Sequence, residues 1–475
     1  MGQEIHTTHF SEDDFKRFKE RLRLETELLR DWFESGYLAD SEPVAGFEIE
    51  AWLIDDDYHP KPVNQEFLAC FDNELASPEL AKFNIELNTH PHALQGKILS
   101  ELHEELRSTG LQARACAETL DSKILITGIL PTLKATDLNL DNMSDMRRYR
   151  ALNEQVLNSR GGAPLHLDIT GTEHLSETHD TVMLEAATTS FQIHIQVPAD
   201  KAHHYYNASM IASAPMVAAS ANSPYLFNRE LWDETRIPLF EQSVEVGGID
   251  AASHGPLRRV SFGSGYARHS IFEAFVENLE HFPALLPIQF DDPESELAHL
   301  RLHNGTIWRW NRPLIGFNSD GEPHIRIEHR VVPSGPSITD SMANAAFYYG
   351  LAQGLMRFEL DQHLPFAQAR DNFYKAAKNG LRAKVDWPGA GHINIARLIL
   401  EKLLPLAQTG LDELGLDRGD CEYYLGIIKE RVECGQNGSE WQRRFCTAHG
   451  RQMDELTAAM LHYQSSDRPV HEWDL

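Results

Sequence analysis

The segment Gly46-Phe-Glu-Ile-Glu-Ala-Trp-Leu-Ile54 places acidic residues one apart between apolar ones. Successive side chains of a β-strand point to opposite faces, so Phe47, Ile49 and Ala51 face one way while Glu48 and Glu50 face the other. A strand of this kind must bury its apolar face against other elements and still hold two carboxylates together on the face that remains. That requirement restricts the fold more than any other feature of the chain.

The same alternation returns at Phe83-Asn-Ile-Glu-Leu-Asn88, Leu165-His-Leu-Asp-Ile-Thr170, Phe191-Gln-Ile-His-Ile-Gln196 and His324-Ile-Arg-Ile-Glu-His-Arg330. One such strand describes any sheet with a solvated face. Five of them, with Glu, His and Arg on the polar side where Thr, Lys and Ser are usual, predict the lining of a polar cavity.

Charge narrows what that cavity can serve. With 43 Lys+Arg against 71 Asp+Glu the net charge is -28. Such a surface repels nucleic acid and anionic membranes, so neither is expected as a partner, and a phosphorylated substrate would need a local island of arginine or bound cations. The 475 residues allow two or three domains without requiring them, and 42% apolar with 24% charged residues is the composition of an ordinary globular protein. The start, Met1-Gly-Gln-Glu-Ile-His6, lacks a basic region followed by an apolar core, and His6 stands where a myristoylation signal has Ser or Thr. No apolar run approaches the ~20 residues that span a bilayer. The expectation is a soluble, cytoplasmic protein. Its five cysteines (Cys70, Cys116, Cys421, Cys434 and Cys446) are scattered and lack a C-x-x-C pair, which predicts reduced thiols rather than a zinc site or a disulfide framework.

Along the chain, helical spacing predicts a helix over 11–35 with Ser11 as its cap, then a strand over 45–54. A helix at 98–121, a strand at 123–129 and a helix at 144–158 precede the turn Gly161-Gly162 and the strand with His166 and Asp168. The strand at 190–197 ends at Pro198, and a narrow small-residue helix follows over 210–220. Residues 236–334 read as irregular with strands at 305–310 and 323–331, and 338–464 as almost all helical. With no linker or internal repeat, the expected architecture is α+β in one unit over 1–475, with a sheet-bearing core at 44–350 and a helical C-terminal section at 351–475.

Glu48, Glu50, Glu86, His194 and Glu328 are residue types that bind Mg2+ or Mn2+, and Gln192 adds an amide oxygen. That many carboxylates on one surface would repel one another without a cation. Arg326 and Arg330 share a strand face with Glu328, Arg312 lies just upstream, and Arg236, Arg258 and Arg259 fall in the irregular segment; guanidinium forks suit phosphate and carboxylate oxygens. No Gly-x-x-x-x-Gly-Lys-Ser/Thr loop, Gly-x-Gly-x-x-Gly turn, Gly-x-Ser-x-Gly elbow or His-Glu-x-x-His helix is present. A nucleotide would therefore be held by metals and arginines.

Taken in order, Gly46-Phe-Glu-Ile-Glu50, Asn84-Ile-Glu-Leu-Asn-Thr-His-Pro91, Gln192-Ile-His-Ile-Gln196, Ser220-Ala-Asn-Ser-Pro-Tyr225 and Ile327-Glu-His-Arg330 resemble the glutamate-cysteine ligase and carboxylate-amine ligase family. The similarity covers residues 44–350. Ile327-Glu-His-Arg330 followed by Pro333 and Asp340 is also similar to the wider glutamine synthetase relatives. The resemblance implies a glutamine synthetase-like antiparallel sheet bent into a funnel with helices outside, and ATP-dependent amide formation through an acyl phosphate, with L-glutamate's γ-carboxylate and an amino-acid amine as the leading substrates. It further implies two or three Mg2+ (or Mn2+) ions on Glu48, Glu50, Glu86, His194 and Glu328. Glu328, Arg330 and Arg312 take catalytic roles in it, with Arg330, Arg312, Arg326 and Gln192 toward ATP as co-substrate, and Asn84, Arg236 and Tyr225 toward the small-molecule substrates. Many members have His-x-His where this chain has Gln192-Ile-His194, so Gln192 is a weaker ligand or a nucleotide contact. A metal-dependent hydrolase or phosphotransferase, and a non-catalytic nucleotide or amino-acid binder of the same fold, are the alternatives, and homo-oligomerisation is left open.

Overall fold

The computed structural model describes Ile5, residues 7–246 and residues 258–475. The reading made on Met1–His6 therefore falls largely outside the described residues, as does part of the segment expected to be irregular.

Alternation builds the central element. β1 (Val44–Ile54) is the axis of an antiparallel sheet that also contains β2 (Ala76–Pro78), β3 (Asn84–Asn88), β4 (His92–Ala93) and β5 (Lys123–Leu125). A separate hairpin, β6 (Leu165–Thr170) with β7 (His174–His179), precedes β8 (Phe191–Val197), which rejoins the sheet. After a short ribbon of β9 (Tyr225–Leu226) and β10 (Arg229–Glu230), the sheet is completed by β11 (Asn311–Phe317) and β12 (Pro323–His329). The spatial order is β11-β12-β8-β1-β3-β2, with β4 and β5 also paired to β1. This is the curled antiparallel sheet with surrounding helices that the sequence resemblance implied.

Register sends the odd-numbered apolar residues outward. Phe47, Ile49, Phe191, Ile193, Ile195, Ile325 and Ile327 are all buried on that face, each contributing about 1.5–3 kcal/mol of burial. Two helices cover them, α5 (Ala202–Ser220) and α9 (Ile338–Arg357), which also pack on each other. In α5 every residue from Tyr205 to Ser220 is buried, as the narrow small-residue pattern predicts. The Tyr349 ring of α9 stacks 6.2 Å from Phe47 and its hydroxyl donates to the His194 carbonyl at 3.0 Å.

The remaining helices close the outside. α1 (Glu12–Ser35) begins with a reciprocal capping box between Ser11 and Asp14 and ends at Gly36 in the left-handed region. α2 (Asn64–Phe71), α3 (Ile98–Glu118) and α4 (Arg147–Ser159) flank the early strands. Helices α6 (Arg236–Ser243), α7 (Phe272–His281) and α8 (Ala298–Gly305) occupy the stretch the sequence marked as irregular. They are only 8 to 10 residues long, and short helices show little periodicity. The strand expected at 305–310 lies instead at Asn311–Phe317. Pro313 and Gly316 disguise it, and Pro313 is tolerated because β11 is the edge of the sheet.

Two further expectations are corrected. The strand at 123–129 stops at Leu125, because the Ile126 backbone is bound by the Gln464 side chain, whose Nε2 donates to the Ile126 carbonyl at 2.6 Å. Among the described residues the His166/Asp168 strand pairs only with β7; its polar residues are exposed and do not lie on the sheet that carries β1. Among the described residues no helix is long and apolar enough to cross a membrane.

The C-terminal section is mostly helical: α10 (Phe366–Asn379), α11 (Ile395–Leu398), α12 (Leu404–Glu413), α13 (Arg418–Cys434), α14 (Gly438–His449) and α15 (Met453–Ser465). It also carries a small hairpin, Lys384–Trp387 with Gly391–Asn394, absent from the sequence reading. At Gly350 and Gly410 the backbones of α9 and α12 approach so closely that a Cβ on either would meet the other helix's backbone.

A buried ion pair ties this section to α9. Arg431 Nη2 donates to Asp340 Oδ1 at 2.7 Å, its Nη1 donates to Asn344 Oδ1 at 2.6 Å, and Asp340 Oδ2 accepts from the Val470 N–H at 2.9 Å. Asp340→Ala leaves the Arg431 guanidinium buried without its counter-charge. Urea denaturation is expected to show a loss of about 3–5 kcal/mol.

Candidate active site

The inner face of the sheet carries the even-numbered residues. One cross-strand row runs Arg312, Glu328, His194 and Gly46 from β11 to β1, and neighbouring rows pair Gln192 with Glu48 and Glu50 with Glu86. Gly46 contributes no side chain there, and a Cβ at that position would meet nothing within 4 Å. The sheet floor is thus open beside His194.

Two groups of metal-type ligands lie on this floor. Glu48, His194 and Glu328 bring ligand atoms within 4.8 Å of one another, and so do Glu50, Glu79 and Glu86. Four of the expected metal residues fall on three adjacent strands and the fifth, Glu86, on the next. Glu79 was not anticipated: it lies just past β2 in Ser-Pro-Glu-Leu, where no alternation announces it.

The two groups differ in how their charge is met. Glu328 is fully engaged: Arg312 Nε donates to Oε2 at 2.8 Å and Nη2 to Oε1 at 2.9 Å, while Arg330 Nη1 donates to Oε2 at 3.0 Å. Burial opposes its ionisation, but the two guanidinium groups prevail and hold its carboxyl well below the usual range. Burial likewise opposes the charge on Glu48, and the neighbouring His194, Nε2 3.2 Å from Oε1, outweighs it and keeps that carboxyl low.

Glu50 is held by hydrogen bonds. Ser190 donates its N–H to Oε2 at 2.7 Å and its hydroxyl to Oε1 at 2.8 Å, and Gln192 Nε2 donates to Oε1 at 2.9 Å. The other end of the Gln192 amide accepts from Arg330 Nη1. Gln192 therefore links Glu50 to Arg330, and it also lines the cavity above.

Among the described residues neither Glu86 nor Glu79 is in an ion pair with an arginine: Ser77 Oγ and Asn88 Nδ2 each donate to Glu86 Oε1 at 3.1 Å, and the Arg148 charge moderates Glu79 only in part. Burial, then Glu48, pushes Glu86 up to about 7; burial, then Glu86, pushes Glu79 well above the usual carboxylate range. Oε2 of Glu48 and of Glu86 and both ring nitrogens of His194 are buried without a hydrogen-bond partner among the described residues. Such a set of converging, unsatisfied oxygens plus one imidazole fits Mg2+ or Mn2+.

Above the floor is a cavity of about 380 Å3 lined by Glu50, Glu79, Gln192, Arg312, Arg326 and Arg330, with apolar walls that include Leu286, Leu300 and Trp308. Arg326 makes no hydrogen bond or ion pair among the described residues, and burial pulls its guanidinium below the usual arginine range. Arg148, Tyr149 and Glu185 also line it, and the sequence reading missed all three. They sit on a helix and a 3-10 turn, outside the alternating strands that carried the signal. Glu185 is pushed up to about 8 by burial and, secondarily, by Glu50.

The three residues expected to meet substrate fare differently. Asn84 is buried on the inner face two residues from Glu86, and neither side-chain polar atom has a partner among the described residues. Arg236 spends its donors inside the protein: on Glu234 at 3.3 Å, on the Arg330 carbonyl at 3.2 Å and on the Val331 carbonyl at 2.6 Å, with its guanidinium 5.3 Å from the Trp310 ring. It props the backbone that carries Arg330. Tyr225 lies in the β9/β10 ribbon with Arg451 over its ring at 5.6 Å, and does not line the cavity. Arg259 donates to the Thr306 and Pro283 carbonyls, and Arg258 faces Glu245 at 3.8 Å; neither lines it.

The chain belongs to glutamate-cysteine ligase family 2, whose sequence model matches residues 44–460. It is therefore a ligase of the ATP-dependent carboxylate-amine class. The glutamate–cysteine ligase of Francisella tularensis, solved in complex with AMP, is similar in fold: TM-score 0.56 over 90% of both chains at 13% identity. A bifunctional glutathione synthetase from Pasteurella multocida aligns with 95% of this chain and 54% of its own length, with a TM-score of 0.47 and 11% identity. No curated protein matches the sequence.

The pH dependence of cation binding follows from Glu86. Its proton affinity is raised on folding, from 4.5 to about 7, so in the absence of cation the native state loses stability as pH rises from about 4.5 through about 7. A divalent cation needs the ionised form and offsets that loss. Thermal melts are expected to show a larger Mg2+-induced rise in Tm at about pH 8 than at about pH 5.5, and Glu86→Gln to flatten the difference.

Proposed function

We propose that this ligase joins the γ-carboxylate of L-glutamate to the amine of an amino acid, cysteine being the reference acceptor, through an acyl phosphate made from ATP. The observation that carries the reading is the presence, in a family member, of two metal-type clusters on one sheet face beneath a cavity that Glu50 and Glu79 line together with Arg326, an arginine without a hydrogen bond or ion pair among the described residues. The arginines also answer the charge problem: a protein of net charge -28 has gathered Arg312, Arg326 and Arg330 at one place.

In the first step a carboxylate oxygen of the donor attacks the γ-phosphorus of ATP and ADP leaves. In the second the amine nitrogen attacks the acyl carbon and inorganic phosphate leaves with the bonding pair. Arg326 is positioned to take polyphosphate oxygens, since it has no hydrogen bond or ion pair among the described residues to give up. Arg330, fixed by Glu328 and Gln192 and supported from behind by Arg236, is preorganised toward the charge that develops on the transferring phosphoryl group. Arg312 locks Glu328 and reaches the same cavity. Asn84 offers both a donor and an acceptor to a polar substrate group. Cations on Glu48, His194 and Glu328 and on Glu50, Glu79 and Glu86 would neutralise phosphate oxygens and the repulsion among these carboxylates.

Purified protein given Mg-ATP, glutamate and a panel of amines is expected to release phosphate only when an acceptor is present. Release that ignores the amine would support a phosphatase-type activity, and nucleotide binding without turnover a sensor. Glu48→Ala and Glu86→Ala should lower turnover by about 100-fold or more while the protein still unfolds in a cooperative transition. Arg326→Met, which breaks no hydrogen bond or ion pair among the described residues and removes only the longer-range attraction to Glu48 and Glu328, is expected to raise the KM for ATP by about tenfold or more while the protein stays folded.

A further inference from the structure

Of the acidic groups that line the cavity and belong to neither metal-type cluster, Asp292 and Glu296 are exposed and Glu185 alone is half-buried. It sits in a 3-10 turn, Val182–Ala187, whose other residues Val182, Met183, Leu184, Ala186 and Ala187 are all buried. Thr181 caps the turn by accepting from the Met183 N–H. The apolar anchors on either side fix Glu185 in direction, and the chain runs on within a few residues to Ser190, which binds both oxygens of Glu50. The turn is thus rigidly joined to the floor of the site.

The Glu185 carboxyl makes no hydrogen bond or ion pair among the described residues. The charged groups that act on it are Glu50 and Glu79, which repel its charge, and Arg330, which attracts it. A carboxyl half-buried in an apolar turn, without a partner and facing the cavity of a ligase, is costly unless the second party is a ligand. The ligand chemistry it selects is cationic. Of the species in the proposed reaction, ATP and the donor carboxylate are anionic at their reacting ends, whereas the acceptor enters from water as an ammonium ion.

We propose that Glu185 receives the acceptor, binding its ammonium group and accepting the proton that must leave before nitrogen can attack. This rests on the ligase reading above. The ammonium gives one proton to the Glu185 carboxylate, which frees the nitrogen lone pair. Nitrogen then bonds to the acyl carbon, the carbon–oxygen bond to phosphate breaks, and phosphate departs with the bonding electrons. The second nitrogen proton leaves with the phosphate, and Glu185 returns its own to solvent. The high proton affinity of Glu185 suits the same task.

The test compares wild type with Glu185→Gln in two reactions of the full-length protein. Glutamate-dependent positional isotope exchange in ATP reports acyl-phosphate formation without any amine. Amide formation reports the whole reaction, with cysteine as a cationic acceptor and with hydroxylamine as one already uncharged at neutral pH. We expect exchange and the KM values for ATP and glutamate to stay within about twofold. Amide formation with cysteine should fall by about 100-fold in kcat/KM, and with hydroxylamine by far less.

Equal losses in exchange and in amide formation would overturn the proposal and place Glu185 with the metal ligands or the framework. Equal losses with the two acceptors would overturn it as well, and because that comparison is made within one sample, partial misfolding cannot imitate the expected result. If wild type shows no glutamate-dependent exchange, the substrate reading fails, whereas exchange without a selective loss in the variant sinks only the role of Glu185.

Discussion

Like charge buried on one face of a sheet is the interaction on which the rest of this structure depends. Glu48, Glu50, Glu86 and Glu328 are each less than a tenth exposed. Bringing ionised carboxylates that close in a dry setting is unfavourable by far more than any single native contact can offset. The protein answers in two ways. On the β12 side it supplies arginines, which claim both oxygens of Glu328 and reach through Gln192 to Glu50. On the β3 side the compensation is weaker: Ser77 and Asn88 donate to one oxygen of Glu86, Arg148 moderates the charge on Glu79, and burial still raises the proton affinity of both carboxyls. This less compensated half is where a cation has most to contribute.

Everything outside that face keeps it in place. Outward Phe and Ile residues bury against α5 and α9, and Tyr349 of α9 reaches through to the backbone of His194 itself. Arg236 holds the carbonyls of Arg330 and Val331, and Asp340 with Arg431 fixes the start of α9, which follows directly from β12. The functional side chains therefore stand on strands and are braced by buried polar contacts, the arrangement that preorganised electrostatic catalysis requires. The C-terminal helices are part of this bracing. Arg431 and Gln464 come from them and end on α9 and on the strand-to-loop junction at Ile126.

The period-two pattern made four of the five polar faces legible, because a strand buried on one side must present its polar residues together on the other. It failed at His166 and Asp168 for the reason it is weak in general. The residues of β6 alternate as well as those of β1, but the hairpin covers a helix and leaves its polar side in water. Glu79, Arg148, Tyr149 and Glu185 were invisible because they reach the cavity from a strand end, a helix and a 3-10 turn, where no two-residue period exists. Arginine was ambiguous for another reason: Arg236 and Arg326 look alike in sequence, and only the surroundings show that one supports backbone carbonyls while the other makes no hydrogen bond or ion pair among the described residues. Gln192 could not be assigned from the sequence because a glutamine between a carboxylate and a guanidinium is recognised by its two neighbours, and these lie on strand β1 and just past the end of β12.

The central claim is that the inner face of the sheet is a two-cluster cation site built to hold a triphosphate. The most direct measurement is anomalous diffraction from crystals grown with Mn2+ and a non-hydrolysable ATP analogue. The account predicts metal peaks within coordination distance of Glu48, His194 and Glu328 and of Glu50, Glu79 and Glu86, with the phosphates between these ions and Arg326. Metal peaks elsewhere, or a nucleotide bound with both clusters empty, would contradict it.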